Sequence, residues 1–427
     1  MSVWRASRYR VRAASAIMVV LGTAVGAAAV AGPAQARPAL QLPPNSAAVS
    51  WGDNQNGQLG NGTTAASLFY AGVSGLSSGV TQIAAGMDHN SMALTTGGTV
   101  WTWGVSLALG TSSSADSTVP VQVPGLTGVT QISAGLGDDL ALRSDGTVWA
   151  WGDNDYGQLG DGNTTTTPDS APVQVSGLTG VTQIADGNGF GLALRSDGTV
   201  WAWGSNFYGQ LGDGTTTLTD VPVQVTGLTG VIRIAAGGSS AMALRVQIRR
   251  TSFVRTVWTW GHNEFGQLGD GTTTGRLTPV LVSGITAPSI TAIAAGGSFA
   301  MVLGSDGSVW DWGANAVGEL GNGSTTAELR PVKIWNSGAI AVAAGAFHAL
   351  ALFYDGTVFA WGDGVLGTGT RSLVPGRIPG LSTVTQISAG DYYSLAVHQV
   401  VPIYTGTGPA RAQPSGALPA ILPLARP

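Results

Sequence analysis

The sequence predicts an all-β fold, a seven-bladed β-propeller with four-stranded blades, one of them a composite of both chain ends. Three observations carry this reading. Trp-Gly recurs at Trp51, Trp103, Trp151, Trp203, Trp260, Trp312 and Trp361, every 48 to 57 residues. An Ala-Gly or Asp-Gly step recurs at Gly86, Gly135, Gly187, Gly237, Gly296, Gly345 and Gly390. The two chain ends are out of phase with this repeat in complementary ways. A repeat of this length holds one supersecondary unit that cannot bury its faces alone, so stacked units must share a core.

One full unit shows why each element forms. Val181-Thr-Gln-Ile-Ala-Asp-Gly187 is a strand-length run closed by glycine. Leu192-Ala-Leu-Arg195 is a second run, and Ser196-Asp-Gly198 is a turn, since glycine reaches positive φ without steric cost. Thr199-Val-Trp-Ala-Trp-Gly204 alternates, which puts Trp201 and Trp203 on one face of a third strand. A loop from Ser205 to Thr219 leads to a fourth run, Pro222-Val-Gln-Val225, and then Gly227-Leu-Thr-Gly230. Each buried Trp ring contributes about 3 kcal/mol or more. The small residues of Ile-Ala-Ala-Gly suit the innermost strand, where blades crowd.

The ends close the ring. The chain enters its first unit at Ala47-Ala-Val-Ser-Trp51, a third strand without the first two. It leaves at Gln386-Ile-Ser-Ala-Gly390 and Ser394-Leu-Ala-Val397, a first and second strand without the third. Pairing them removes two open sheet edges.

Composition bounds the function. Of 427 residues 65 are Gly and 14 Trp, and only 10% are charged. So few charges exclude a coiled coil and a charge-driven disordered chain. With no Cys, disulfides, thiolate metal sites and Cys nucleophiles are excluded. Arg5, Arg8, Arg10 and Arg12 precede an apolar run from Ala13 to Val30 and then Ala34-Gln35-Ala36, the layout of a cleaved secretory signal. The expected organisation is a signal peptide over 1–36, a linker over 37–46, a propeller over 47–400 and a flexible Pro/Ala-rich tail over 401–427. Cleavage after Ala36 leaves 15 basic and 23 acidic side chains, a net charge of −8. A secreted acidic monomer of this kind is a poor match for nucleic acid or for membrane after cleavage.

The blocks Ser196-Asp-Gly-Thr-Val-Trp-Ala-Trp-Gly204 and Tyr208-Gly-Gln-Leu-Gly-Asp-Gly-Thr215 resemble the regulator of chromosome condensation repeat family, including its alpha-tubulin suppressor-like group. Similar blocks run over 145–164, 256–272 and 305–325, and the resemblance covers about residues 47–400. It implies a seven-bladed propeller. The family resembled includes an exchange factor for a nuclear GTPase, tubulin-linked proteins, plant light sensors and secreted bacterial β-lactamase inhibitors, most of which bind another protein. There are departures. The Trp103 unit continues Val105-Ser-Leu-Ala-Leu-Gly110 and lacks Gly-Gln-Leu-Gly, the Trp361 unit is shortened, and the Gly-Trp-Arg-His-Thr motif of the light sensors is absent.

Chemistry-bearing residues are sparse. The histidines are His89, His262, His348 and His398, with no compact metal-ligand spacing. His89 and His348 each lie three residues past an Ala-Gly step and are expected to be structural. Asp153, Asn154, Asp155 and Asp161 could mimic a calcium loop but lack its closing Glu. Gly362-Asp-Gly-Val-Leu-Gly367 fits a dinucleotide pattern by letters alone. No cofactor, metal or catalytic residue is expected.

Two features point to a protein partner. Tyr156, Tyr208 and Phe265 recur at one loop position before Gly, where they either form a binding face or pack onto their own blades. In the fourth full unit the turn Ser-Asp-Gly is replaced by Arg245-Val-Gln-Ile-Arg-Arg-Thr-Ser-Phe-Val-Arg255. Arg245, Arg249, Arg250 and Arg255 would there form a basic hairpin for an acidic partner, or a passive insertion. Strand parity puts this hairpin on the face opposite the aromatic loops. The leading expectation is a secreted, non-catalytic propeller that binds protein. A secreted carbohydrate-active or other propeller enzyme would need converging acids, of which the loops after Ala-Gly offer Asp88, Asp138, Asp139 and Asp391. Exchange activity on a GTPase is a third alternative.

Overall fold

The computed structural model describes residues 45–111, 113, 115–164, 171–249, 252–364 and 366–400. The expected signal segment, nearly all of the linker, the tail and Arg250 lie outside the described residues. Seven four-stranded sheets, each built of antiparallel neighbours, make up the fold. Blade 1 comprises Val80–Ala85, Asn90–Thr95, Val100–Gly104 and Ser117–Gln122, and blade 2 Val129–Ala134, Asp138–Arg143, Val148–Gly152 and Val173–Gln174. Blade 3 comprises Val181–Asp186, Phe190–Arg195, Val200–Gly204 and Thr219–Gln224, and blade 4 Val231–Ala236, Ser240–Arg249, Ser252–Gly261 and Arg276–Leu281. Blade 5 comprises Ile290–Ala295, Phe299–Gly304, Val309–Gly313 and Glu328–Trp335, and blade 6 Ala339–Ala344, His348–Phe353, Val358–Asp363 and Arg371–Arg377. Blade 7 is the composite: Val384–Ala389 and Tyr393–Gln399 from the chain's end, Ser46–Gly52 and Ser67–Gly72 from its start. Its seam is an unbroken antiparallel ladder from Ser46 opposite Gln399 to Gly52 opposite Tyr393.

The seven first strands adjoin one another around a closed ring, so the small-residue strand is indeed innermost. Glutamines fasten this ring at the seams of blades 1 with 2, 2 with 3 and 3 with 4. The Gln131 side-chain amide donates to the Ile184 carbonyl at 3.0 Å and accepts from the Ile184 N–H at 3.0 Å. Gln82 does the same to Ile132. A carboxamide has one donor side and one acceptor side, which matches one exposed peptide unit of the neighbouring strand.

The Trp of each Trp-Gly packs against the preceding blade. All seven are buried, and Trp203 shares a core with Leu140, Leu159 and Val175 of blade 2. The Trp312 indole N–H donates to the Gln267 carbonyl at 2.9 Å, in the Gly-Gln-Leu-Gly loop of blade 4. Gly269 of that loop has φ +66°, and a β-carbon there would lie 2.6 Å from the Trp312 indole nitrogen. The glycine is therefore needed for both conformation and space. Trp201 shares the Trp203 face, as the alternation predicts, but is only partly buried, with Arg195 over its ring at 5.7 Å.

Two units depart from simple counting along the repeat. His89 and His348 are not equivalent. His348 opens the second strand of blade 6 opposite Gly362, and the residue in that register in blade 1 is Asn90, opposite Gly104. His89 is an extra loop residue with φ +61°. The Trp103 unit lacks Gly-Gln-Leu-Gly by letters but keeps its function. A short 3-10 turn over Ser106–Ala108 presents the Ala108 carbonyl to the Trp151 indole at 3.1 Å.

Candidate protein-interaction face

Antiparallel order within each blade sends the first-to-second and third-to-fourth loops to one end of the ring and the second-to-third turns to the other. The first end holds the long loops, and one buried asparagine organises each of those in blades 2 to 5 and 7. Asn206 is buried. Its Oδ1 accepts the Leu211 N–H at 3.0 Å and its Nδ2 donates to the Thr215 and Thr217 carbonyls at 3.2 and 3.0 Å. Asn263 repeats this with Leu268, Thr272 and Thr274. The Gln of Gly-Gln-Leu-Gly then pins the aromatic position. The Tyr208 N–H donates to Gln210 Oε1 at 2.9 Å, and the Phe265 N–H to Gln267 Oε1 at 3.0 Å. Asn154 serves the same role in blade 2, accepting the Leu159 N–H at 3.1 Å, so the Asp- and Asn-rich run is a folded loop. Among the described residues no group of three or more His, Asp or Glu side chains is placed to hold a metal.

Tyr156 and Tyr208 reach across blade boundaries, while Phe265 packs against a ring of its own blade. Tyr156 of blade 2 stands edge-on to Phe207 of blade 3, ring centres 5.4 Å apart. Tyr208 of blade 3 tilts against His262 of blade 4 at 4.4 Å, and His262 meets Phe265 at 6.5 Å. Phe207 is 59% exposed, and Tyr208 and Phe265 each 43%. The three expected aromatics thus belong to one arc over three blades, half-buried at Tyr156 and exposed at Tyr208 and Phe265, joined by Phe207 and His262, which the sequence reading did not single out. The signal for Phe207 was present: it directly precedes Tyr208 in a loop. Between Phe207, Tyr208, His262, Glu264 and Leu277 the arc opens into a cleft of about 320 Å³.

The loops of this face carry charge of one sign, while Arg276 and Arg371 begin fourth strands at their edge and are bound to loop acceptors. Six of the seven third-to-fourth loops contain Asp or Glu, and neither set of loops on this end contains a Lys or Arg. Burial holds the His262 imidazole below its ordinary value, against the pull of Glu264. His262 Nδ1 pairs with the Gln267 amide nitrogen at 2.9 Å, which directs the ring's N–H from Nε2 toward Glu264 at 3.6 Å.

Nearer the axis, Met87, Leu136, Ala346 and Phe347 from the loops of blades 1, 2 and 6 form an apolar cluster. Acids converge beside it to a greater extent than the sequence reading found. Asp138 and Asp139 are joined by Asp186, whose side chain lies over Gly135 at the seam of blades 2 and 3. All three are buried. Burial, reinforced by Asp153 and Asp139, raises Asp138 well above the usual carboxylate range. Burial and the repulsion of Asp138 do the same to Asp186. Burial raises Asp139 too, although Asn90 Nδ2 donates to it at 2.7 Å. The sequence offered Asp186 only as a variant of the Ala-Gly step. His348 is sealed in as well. Its Nε2 meets the Ser394 hydroxyl at 2.8 Å, and burial pushes it down to about 4. His89 sits among Gln58 at 2.9 Å and the carboxylates of Asp53 and Asp391, each at 4.0 Å. Gly362–Gly367 joins two strands with no following helix, which removes the dinucleotide reading.

The arginine segment lies on the opposite face, as parity requires. It extends the blade 4 ladder out to Arg249 opposite Ser252. Two of its arginines are engaged locally: Arg245 stacks 5.8 Å over Trp258, and Arg255 donates to the Ile290 carbonyl at 2.9 Å. Arg249 holds the last backbone pair of the ladder. Arg245 and Arg255 are thus held on the face opposite the aromatic loops.

A closed ring of seven sheets that holds preorganised loops at one end defines a propeller scaffold whose variable surface is that loop face. The chain belongs to the RCC1-like domain family, whose model matches residues 39–300 and 139–406. This is a family of protein-interaction and regulatory modules. The chain is 30% identical over 290 residues to the ultraviolet-B receptor UVR8 of Arabidopsis thaliana, covering 67% of this chain and 65% of the receptor. It is 28% identical over 281 residues to the human E3 ubiquitin-protein ligase HERC2, covering 60% of this chain and 5% of the ligase. It thus spans less than two thirds of either relative. Among solved structures, Prp20p of Saccharomyces cerevisiae matches with a TM-score of 0.71 at 24% identity, over 84% of this chain and 93% of that one. Human WBSCR16 matches with a TM-score of 0.71 at 22% identity, over 83% and 99%. These two likenesses establish the fold.

Proposed function

We propose that this chain is a secreted, non-catalytic propeller that binds a protein partner through its long-loop face. The aromatic arc from Tyr156 to Phe265, exposed at Phe207, Tyr208 and Phe265, carries the reading. Interface cores are enriched in aromatic side chains, and rings held by pinned backbones lose little freedom on binding. The family supports it by analogy: Prp20p is described by its binding to Gsp1p and histones, and also as a complex with Kap60. The basic start, apolar run and Ala34-Gln35-Ala36 support export, with a mature chain from Arg37. The burial of Asp138, Asp139 and Asp186 speaks against the enzyme alternative, since a sealed carboxylate cannot touch a substrate. Export itself speaks against exchange on an intracellular GTPase.

The test immobilises the parent and a Tyr156→Ser/Phe207→Ser/Phe265→Ser variant and exposes both to culture medium. The reading expects a protein retained by the parent and lost by the variant, with both folded by circular dichroism at the temperature of the test. Equal retention by the two would overturn it. N-terminal sequencing of the exported chain checks the Arg37 start, and a chain beginning at Met1 would refute it.

A further inference from the structure

We infer that the cleft between the long loops of blades 3 and 4 receives an arginine side chain of the partner protein. This rests on the loop-face reading above and names the chemistry at its centre. The observations are local charge, ring geometry and the charge of the whole face. Glu264 is the one carboxylate lining the cleft, and its side chain is 71% exposed. The imidazole beside it is kept neutral by burial and points an N–H, not a positive charge, at that carboxylate. The arginine bordering the cleft, Arg276, gives its Nε and Nη2 to Asp270 at 2.9 and 2.6 Å, so its charge is already matched. Phe207 and Tyr208 present exposed rings to the same space. The cleft therefore offers aromatic surface, one negative charge and no competing cation.

A guanidinium meets all of these conditions. It is planar, so it stacks on an aromatic face while its edge donates to a carboxylate, and it remains charged at any working pH. At about 320 Å³ the cleft lies at the small end of ligand pockets, the scale of one long side chain and its neighbours. The surrounding loops, which have acids and no Lys or Arg, extend the match to a basic partner surface and steer its approach.

The probe is the tripeptide acetyl-Gly-Arg-Gly-amide, titrated by saturation-transfer NMR against the full chain, beside the same peptide with citrulline, the neutral isostere of arginine. The expected result is saturation of the arginine side-chain protons, weakened about two- to fivefold by citrulline and to a like extent by Glu264→Gln. Tyr208→Ser should weaken it further, and added salt should weaken the arginine peptide but not the citrulline one. Glu264→Gln should melt with the parent, because the side chain is exposed. Equal binding of the two peptides, unchanged binding by Glu264→Gln, or no saturation of the arginine peptide would overturn the inference. If the culture-medium partner is then still lost from the aromatic variant and kept by Glu264→Gln, the loop-face reading stands and only the arginine is wrong. If the aromatic variant also keeps that partner, the loop-face reading falls with it.

Discussion

The side-chain amide of Gln183 grips the peptide unit of Ile234 from the next blade, donating to its carbonyl at 2.9 Å and accepting from its N–H at 3.1 Å. The innermost strands of blades 3 and 4 thereby satisfy each other's polar groups where no sheet hydrogen bond is available. Gln131 and Gln82 make the same grip on Ile184 and Ile132. Three of the seven seams around the axis are therefore fastened by glutamine side chains.

Replacing Gln183 with Ala should destabilise the ring by about 1–3 kcal/mol, because it strands a donor and an acceptor of the Ile234 backbone. Gln183→Glu should also destabilise it, since a carboxylate cannot donate to the Ile234 carbonyl. Urea denaturation measures both, and a Gln183→Ala midpoint equal to the parent's would refute the role.

Gly269→Ala should cost about 2 kcal/mol or more, because the new β-carbon meets the Trp312 ring and φ there is +66°. Gly275→Ala is the control: its φ is not in the left-handed region, and its nearest neighbour is the Gly261 carbonyl at 3.1 Å. Gly275→Ala should cost clearly less. Equal loss at both sites would show that ring contact is not the cause.

The buried acids predict a pH dependence. Burial raises Asp138, Asp139, Asp186 and Asp311 in the folded protein. A raised folded value contributes stability below the unfolded carboxylate value of about 4, and this is lost as pH rises through the folded value. Turn carboxylates such as Asp197, lowered by the Thr199 hydroxyl and N–H, act in the opposite sense but are common to parent and variant. Asp186→Ala restores the residue found at this register in other blades, for example Ala236 and Ala295. It should stabilise the chain at pH 8 by about 1–3 kcal/mol, with the gain shrinking toward pH 5. Parallel melting curves of parent and variant from pH 5 to 8 would contradict this.

The hairpin arginines should divide by function. Arg245→Ala should cost about 0.5–1 kcal/mol through its lost stacking on Trp258. Arg249→Ser with Arg250→Ser should leave melting within about 0.5 kcal/mol of the parent. Calorimetry of the two variants separates these outcomes, and a large loss from the double serine variant would show that the ladder end is structural.

The blade boundaries, the ring closure and the parity of the faces were legible because they follow from local rules. Alternation about Trp201 and Trp203 sets a strand, Ser-Asp-Gly sets a turn, and an out-of-phase start and end must pair. Counting from the Ala-Gly step misled at His89, because one added loop residue shifts every later position and only the Asn90–Gly104 pairing restores the register. The Trp103 unit misled in the opposite direction. Its letters differ, yet the Ala108 carbonyl fills the place of a Gln carbonyl, since the bond uses the backbone and not the side chain.

The amino-acid sequence by itself determined the number of blades, the composite closure and the face on which each loop falls, because strand period and turn chemistry act over a few residues. Only the tertiary structure decided that Tyr156 meets Phe207, that Tyr208 meets His262 beside Glu264, and that Asp138 meets Asp186. Those partners lie on neighbouring blades, and their meeting depends on the distance and angle at which two sheets pack. That geometry is set jointly by the buried Trp rings, the glycines beneath them and the glutamine grips around the axis.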